Sequence, residues 1–409
     1  MRKDEHILTI NGGSSSIKFS LYKIELPLQE IFTGQVENIG TVHAKLSYHY
    51  SGSGQLNSSV FEAATHDEAA SNLIDWLETK EEFDSIKAVG HRIVHGMQHT
   101  EPAIISADLI KELKTFSAFD PDHLPEEIRL VEIFSKRYPS MQQVACFDTS
   151  FHTTMPTVAK MLSIPRKYFN KGIRRYGFHG LSYAFLMQEL EKLDGKQAAQ
   201  GKIVLAHLGS GASLAAVNKG ISMDTTMGFT PASGLPMGTR TGDIDPGIAW
   251  YLMQFEKLTP KAFNHLINHE SGLLGISGTS SNMRELTEAE ENDTRAAEAI
   301  ELFCYQAKKS IGSYAAVLGG LDTLVFSGGI GEHSPEVRSK ICDGLEFLGI
   351  ELCEIKNMKN EATISTDASK VIVRVIETNE ELIIAGMIGK VLKSAIKDLK
   401  VEKSEPEFT

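Results

Sequence analysis

Apolar residues in the first third of the chain recur with a period of two. Ile7-Leu8-Thr9-Ile10 predicts a buried strand, and Ile17-Lys18-Phe19-Ser20-Leu21-Tyr22 its hairpin partner. Polar, strand-like sequence rich in Ser and Gly runs from Gly34 to Ser59. The period then becomes helical at Ala69 to Leu77 and again at Glu126 to Phe134, where Pro125 suits a helix start. Val144-Ala145-Cys146-Phe147 predicts a short strand that ends at Asp148. The second half restarts the pattern. Ile203-Val204-Leu205-Ala206 predicts a strand and Leu214-Ala215-Ala216-Val217 its return. Asp245-Pro246 reads as an N-cap followed by proline at the first helical position. Ile300, Phe303, Ala307, Ile311, Tyr314 and Leu318 keep the helical period, and Gly319-Gly320 stops it. Leu324-Val325-Phe326 is then a buried strand, and the charged tail from Val401 to Thr409 is expected to fray.

Strands first, then alternating helix and strand, occur twice. This order predicts an α/β fold of two duplicated domains, with an active-site cleft between them. Each opening hairpin closes through a Gly/Ser turn, Asn11-Gly12-Gly13-Ser14-Ser15-Ser16-Ile17-Lys18 in the first and His207-Leu208-Gly209-Ser210-Gly211-Ala212-Ser213 in the second. Glycines let backbone approach a ligand, and serines add donors, so such turns can cradle a polyphosphate. The first turn spends six small or polar residues where a hairpin needs one or two. Neither GxxxxGK[ST] nor GxGxxG occurs. The turn from Ser327 to Glu332 fits either close approach to an adenosine or its phosphate, or a tight strand-to-helix turn.

Charge narrows the partners. The chain has 409 residues, 42% hydrophobic and 23% charged, with a formal net charge of -12, which argues against nucleic acid. An anionic substrate then needs local arginines. Arg92 lies in Gly90-His91-Arg92-Ile93-Val94-His95-Gly96, and Arg240 in Met237-Gly238-Thr239-Arg240-Thr241-Gly242-Asp243. Each could be a structural ion pair; together they suit a carboxylate-plus-phosphoryl site, because a guanidinium fork matches both anions. His179 sits in a dense run, Arg174-Arg175-Tyr176-Gly177-Phe178-His179-Gly180. Asp148 could face Mg²⁺ or cap a helix, and Glu380-Glu381 could be functional or simply first-turn acids. His91, His95 and His99 would align on a helix as metal ligands, but Gly90, Gly96 and β-branched neighbours argue against a helix there. Cys146, Cys304, Cys342 and Cys353 form no CxxC pair, no segment has the apolar length of a membrane span, and no signal core follows the N-terminus. A cytoplasmic location is expected.

These motifs, in their order and over nearly the whole chain, closely resemble the acetate kinase family. Beyond those quoted, they include Phe147-Asp148-Thr149-Ser150-Phe151-His152, Asp224-Thr225-Thr226-Met227-Gly228-Phe229-Thr230-Pro231, Ser271 to Ser277 and Thr378-Asn379-Glu380-Glu381. The resemblance implies two ribonuclease-H-like, actin-like domains: residues 1–150 joined by a C-terminal helix at 383–409, and residues 151–382 carrying the nucleotide site. It implies a homodimer and reversible, Mg²⁺-dependent (or Mn²⁺-dependent) phosphoryl transfer from ATP to acetate, giving acetyl phosphate and ADP. The alternatives are a propionate or other short-chain fatty acid kinase, or an actin-like ATP switch. By resemblance, Arg92, Arg240, His179 and Asp148 are catalytic. Asn11, Ser14, Ser16 and Lys18 form the first phosphate loop, with Asn11 and Glu380 near the metal. Val94, Phe178 and Pro231 line the acetate methyl pocket, with Arg92 on the carboxylate. His207, Ser210 and Gly211 form the second phosphate loop; Asn282, Met283, Arg284, Gly329, Ile330 and Gly331 meet the adenosine. The chain departs from the family where Ser210 replaces Asn, Asn282 replaces Asp, and Phe119-Asp120-Pro121-Asp122-His123-Leu124-Pro125 replaces Pro-Leu-His-Asn-Pro. Ser210 shortens one phosphate donor, Asn282 alters the ribose or base contacts, and the 119–125 segment bears on acyl-chain selectivity more than on the reaction.

Overall fold

The computed structural model describes residues 4–13, 15–117 and 119–402, with side chains to residue 392. Ser14 and most of the 401–409 tail lie outside the described residues. Two compact units form, one from the described residues of Met1–Ser150 and Asn379–Thr409, the other from Phe151–Thr378. The return to the first unit therefore begins at Asn379, four residues before the expected boundary at 383.

The first unit holds strands β1 (His6–Gly12), β2 (Ile17–Lys23), β3 (Gln29–Glu37), β4 (Lys45–Tyr50), β5 (Asn57–Val60), β6 (Ile86–Ile93), β7 (Ala103–Ile104) and β8 (Gln142–Phe147). They make one sheet in the order β5-β4-β3-β2-β1-β6-β8-β7. The second unit holds β9 (Lys202–Leu208), β10 (Ala212–Asn218), β11 (Ile221–Thr225), β12 (Thr323–Ser327) and β13 (Ile372–Val375), in the order β11-β10-β9-β12-β13. In the first unit β1 pairs antiparallel with β2 and β2 with β3, while β1, β6 and β8 run parallel; in the second β9 pairs antiparallel with β10 and β10 with β11, while β9, β12 and β13 run parallel; β4, β5 and β7 are additions at the edges of the first sheet. The common order 3-2-1-4-5 is a duplicated ribonuclease-H-like sheet, so the sequence repeat is a repeat of topology. The antiparallel pairs need only short turns; the parallel ones need helical crossovers.

Helices cover the sheets where the pattern placed them. His66–Glu78 starts at Thr65, whose hydroxyl accepts the Glu68 amide, and buries Ala69, Ala70, Leu73, Ile74 and Leu77. In the same unit Phe19, Phe32 and Trp76 pack ring to ring, with Trp76 centred 5.4 Å from Phe19 and 5.8 Å from Phe32. Burying each ring contributes about 2–3 kcal/mol. Helix Thr294–Leu318 ends where Gly319 turns left-handed and donates to Ala315 and Ala316. The three histidines do not share a helix, as expected: His91 lies within β6, and His95 and His99 follow it outside any helix or strand. Among the described residues, no helix is long and apolar enough to cross a membrane.

Candidate active site

In the first unit the chemistry gathers at the ends of β1, β6 and β8. The first turn is tighter than the sequence suggested: Asn11 and Gly12 stay in the ladder opposite Lys18 and Ile17. Gly13 N–H donates to the Ser16 carbonyl at 2.7 Å. Asn11 and Lys18 are thus cross-strand neighbours. A Cβ on Gly12 would lie 2.6 Å from a terminal methyl of Leu130 in helix Leu124–Arg137, which would have to move aside.

Arg92 sits near the end of β6, and Asp148 directly follows β8. Parallel pairing sets Arg92 opposite Cys146, two residues before Asp148. The guanidinium grips the Asp148 carboxylate, with Nε 3.1 Å from both oxygens and the nearest terminal nitrogen at 2.5 Å. Asp148 is fully buried. Arg92 also donates to the Asn11 side-chain oxygen Oδ1 at 3.3 Å and lies 3.7 Å from Glu380. Burial would lower the Arg92 pKa, but Asp148 and Glu380 outweigh it and raise it, so the cation is permanent.

Glu380 and Glu381 open helix Glu380–Glu402, and both accept from the Asn11 amide, at 3.0 and 3.2 Å. One turn on, Ile384 and Ile388 press on Gly90, where any Cβ would be 2.3–2.5 Å from them. This contact brings the helix start to Asn11 and Arg92. The two acids are therefore first-turn residues and members of the cluster at once. Burial, then Glu380, raises the Glu381 pKa against Lys18. Val94 is buried just beyond β6.

In the second unit β9 turns into β10 through Gly209, Ser210 and Gly211, pairing His207 with Ser213. His179 is left-handed (φ 57°, ψ 24°) at the start of helix Gly180–Ala199, an uncommon conformation for a residue with a side chain. Its Nδ1 meets the Ser213 hydroxyl at 2.9 Å, which also meets Tyr183 at 2.5 Å. The His207 ring lies 4.3 Å from the His179 ring, and its Nδ1 meets Ser182 at 2.8 Å. A Cβ on Gly211 would stand 3.3 Å from His179 Nε2 and 3.8 Å from an Arg240 guanidinium nitrogen. Gly211, His179 and Arg240 thus converge. Arg240 itself donates to the Pro231 carbonyl at 3.2 Å. Its loop is locked from behind by left-handed Gly272, whose Cβ position is 2.1 Å from the Met237 carbonyl and 2.7 Å from that of Arg240.

The remaining predicted contacts border the same turn. Gly238 N–H donates to Ser210, and its Cβ position is 3.1 Å from the Ser281 carbonyl. Asn282 caps helix Met283–Ala289 through the Arg284 amide; Met283 is buried, and Arg284 is exposed and paired with Glu288. Gly329, Ile330 and Gly331 lie in helix Gly328–His333, which begins directly after β12. Left-handed Gly328 has its Cβ position 2.7 Å from the Leu208 carbonyl, and Gly209 has its own 3.9 Å from the Gly329 amide. Phe178 is buried, as is Pro231.

Several supports were not singled out as site residues from the sequence. Glu332 ties the last turn by accepting from Ser327, Gly328 and Thr378. Arg338, fully buried, donates to the Gly331 and Glu332 carbonyls. Arg175, beside His179 in sequence, donates to the Thr225, Thr226 and Met227 carbonyls and holds the strand that leads to Pro231. His152 binds the Phe178 carbonyl through Nε2 at 3.0 Å and Ser222 through Nδ1 at 2.8 Å. A carbonyl only accepts, so Nε2 carries the hydrogen.

A duplicated ribonuclease-H-like fold with Gly/Ser turns and arginines gathered beside them defines a phosphotransferase class of protein. The chain belongs to the acetokinase family, whose model matches residues 6–386, and it is a kinase. It is 42% identical over 386 residues to an acetate kinase of Rhodopseudomonas palustris, covering 93% of this chain and 96% of that protein. A propionate kinase structure from Francisella tularensis superposes with a TM-score of 0.86 at 36% identity, over 94% of this chain and 98% of its own. The acetate kinase of Porphyromonas gingivalis gives 0.83 at 35% identity, over 95% and 100%.

Proposed function

We propose that the protein transfers the γ-phosphoryl of ATP to acetate, directly and in line, giving acetyl phosphate and ADP. The observation that carries this reading is the part-buried Arg92–Asp148 fork beside Val94, a small apolar residue next to a fixed guanidinium. A nucleotide switch needs no such carboxylate receptor. The carboxylate oxygen attacks the γ-phosphorus as the bond to the ADP oxygen breaks. Acetate is ionised at neutral pH, so no strong base is needed. Arg92 orients the carboxylate; Arg240 and His179 stabilise the charge on the transferring phosphoryl. The second turn, with His207, Ser210 and Gly211, takes the phosphates. Asn282, Arg284 and the 329–331 turn face the adenosine, and Met283 supports them from within the core.

Asn11, Glu380 and Glu381 offer oxygen donors of the kind magnesium takes, usually one or two carboxylates with several waters. Among the described residues, no group of three or more His, Cys, Asp or Glu is arranged as a metal site. Asn11 and Glu380 are the residues that would hold the ion. When bound, it neutralises phosphate charge.

A homodimer in the cytoplasm completes the reading. Helices Pro246–Gln254 and Pro260–His269 bury no residue, and Trp250, Tyr251 and Phe255 are 66%, 53% and 67% exposed. Such an apolar face suits a second copy. Propionate remains the second candidate substrate, since one methylene alters pocket binding by only about 1–3 kcal/mol. Arg240→Ala tests the mechanism: turnover should fall at least about 100-fold, and turnover within a few-fold of the parent would remove Arg240 from its role.

A further inference from the structure

Glu127 lies in the first turn of helix Leu124–Arg137, which packs on β1 and β6, and only 3% of it is exposed. One carboxyl oxygen, Oε2, accepts the Val94 amide at 2.9 Å. The other has no partner among the described residues. Val94 follows Arg92 by two residues, so this contact fixes the backbone on which the carboxylate-binding fork stands. A cavity of ≈ 10 Å³, room for one water, adjoins Glu127 and is lined also by Gly12, Gly13, Asp122 and His123.

We propose that Glu127 is a positioning residue for the carboxylate substrate: through the Val94 amide it holds the segment that follows Arg92, and through its own charge it sets how strongly Arg92 faces an anion. The inference rests on the reading of Arg92 and Val94 as the carboxylate half of the site. Burial raises the Glu127 pKa to about 8, against the opposing pull of Arg92 and the Val94 amide. The groups facing it are Arg92 from β6, Asp148 after β8, Asp120 and His123 (themselves 2.9 Å apart) from the preceding segment, and Asp122, Glu126 and His66 around the cavity. Protonated, Glu127 is a neutral acceptor and leaves Arg92 to Asp148 and the substrate. Ionised, it adds a third carboxylate to the surroundings of Arg92 and weakens its hold on an acid.

The test is the acetate KM of the parent and of Glu127→Gln, from about pH 6.5 to 9. Glutamine keeps a carbonyl for the Val94 amide and cannot ionise. The parent KM should rise at least about threefold across that range with kcat nearly constant, whereas the Gln variant should stay flat. Glu127→Leu, which lacks the acceptor, should raise KM at every pH. Coincident profiles for parent and Gln variant would overturn the proposal. Infrared difference spectra of the parent, independent of activity, provide a second reading. They should show a buried protonated carboxyl at low pH that is lost at high pH and absent from the Gln variant; its absence from the parent also overturns the proposal. Loss of acetate-dependent ADP formation in the parent itself would instead count against the acetate reading.

Discussion

Arg338→Met tests how the nucleotide-side turn is held. The parent guanidinium is fully buried and makes five hydrogen bonds: Nε to Asn357 at 2.7 Å, one terminal nitrogen to Gly331 and Glu332 at 2.8 and 3.0 Å, and the other to Asn357 and Asn360 at 2.8 and 2.6 Å. Each bond from a charged donor contributes about 1.5–3 kcal/mol. Burial works the other way: it lowers the Arg338 pKa to about 10, equivalent to a desolvation cost on the order of 3 kcal/mol. Methionine retains most of the stem, so lost packing is minor. It removes the charge, but it leaves three backbone carbonyls and two side-chain carbonyls without their donor. Allowing for water entering the vacated space, the net loss is about 4 kcal/mol. A unit of this size loses about 2–4 °C per kcal/mol, so its melting temperature should fall by about 8–16 °C. Differential scanning calorimetry of parent and variant measures this directly. The KM for ATP should rise as well, because Gly329–Gly331 lose their anchor. A shift under about 3 °C would refute the reasoning, since it would mean that the hydrogen bonds only balance the cost of burying the charge.

Gly211→Ala should lower kcat at least about tenfold while moving the melting temperature by less than about 2 °C, because its methyl would intrude 3.3 Å from His179 Nε2 without meeting other backbone; steady-state kinetics and a melt separate the two. Burial lowers the His152 pKa to about 4 and that of His91 likewise to about 4. The folded state therefore binds fewer protons than the unfolded state between about pH 4 and 6.5, and stability should fall as pH drops through that window, by up to about 3 kcal/mol per histidine; urea unfolding at several pH values checks this, and His91→Phe should lessen the slope. Trp250→Glu should convert a dimer to monomers by sedimentation while leaving the melt of the monomer nearly unchanged, since Trp250 is 66% exposed.

Much of the fold was legible because its elements declare themselves locally. The hairpins, the helix at 294–318 and the strand before Ser327 all follow from apolar period and from stop signals such as Gly319. The motif residues Asn11, Arg92 and Asp148 are brought together, as are His179, Gly211 and Arg240. What the sequence hid depends on register and on distant partners. The first turn is short because Asn11 and Gly12 remain paired, and pairing register is not visible in a Gly/Ser string. Glu127 looks like an ordinary first-turn acid; only its position beneath Val94 removes it from water. Arg338 reads as one more helix-surface cation, yet its five acceptors come from segments up to 22 residues away. The double nature of Glu380 and Glu381, both helix-start acids and Asn11 partners, needs a contact spanning almost the whole chain.

The most direct test of the account is ADP formation from ATP and magnesium with acetate, propionate, butyrate or no acid, with hydroxylamine trapping the acyl phosphate. The account predicts acid-dependent ADP release, trapped acetyl phosphate in equal amount, and acetate as the preferred acceptor. ADP release that ignores added acid, or no trapped acyl phosphate, would contradict it.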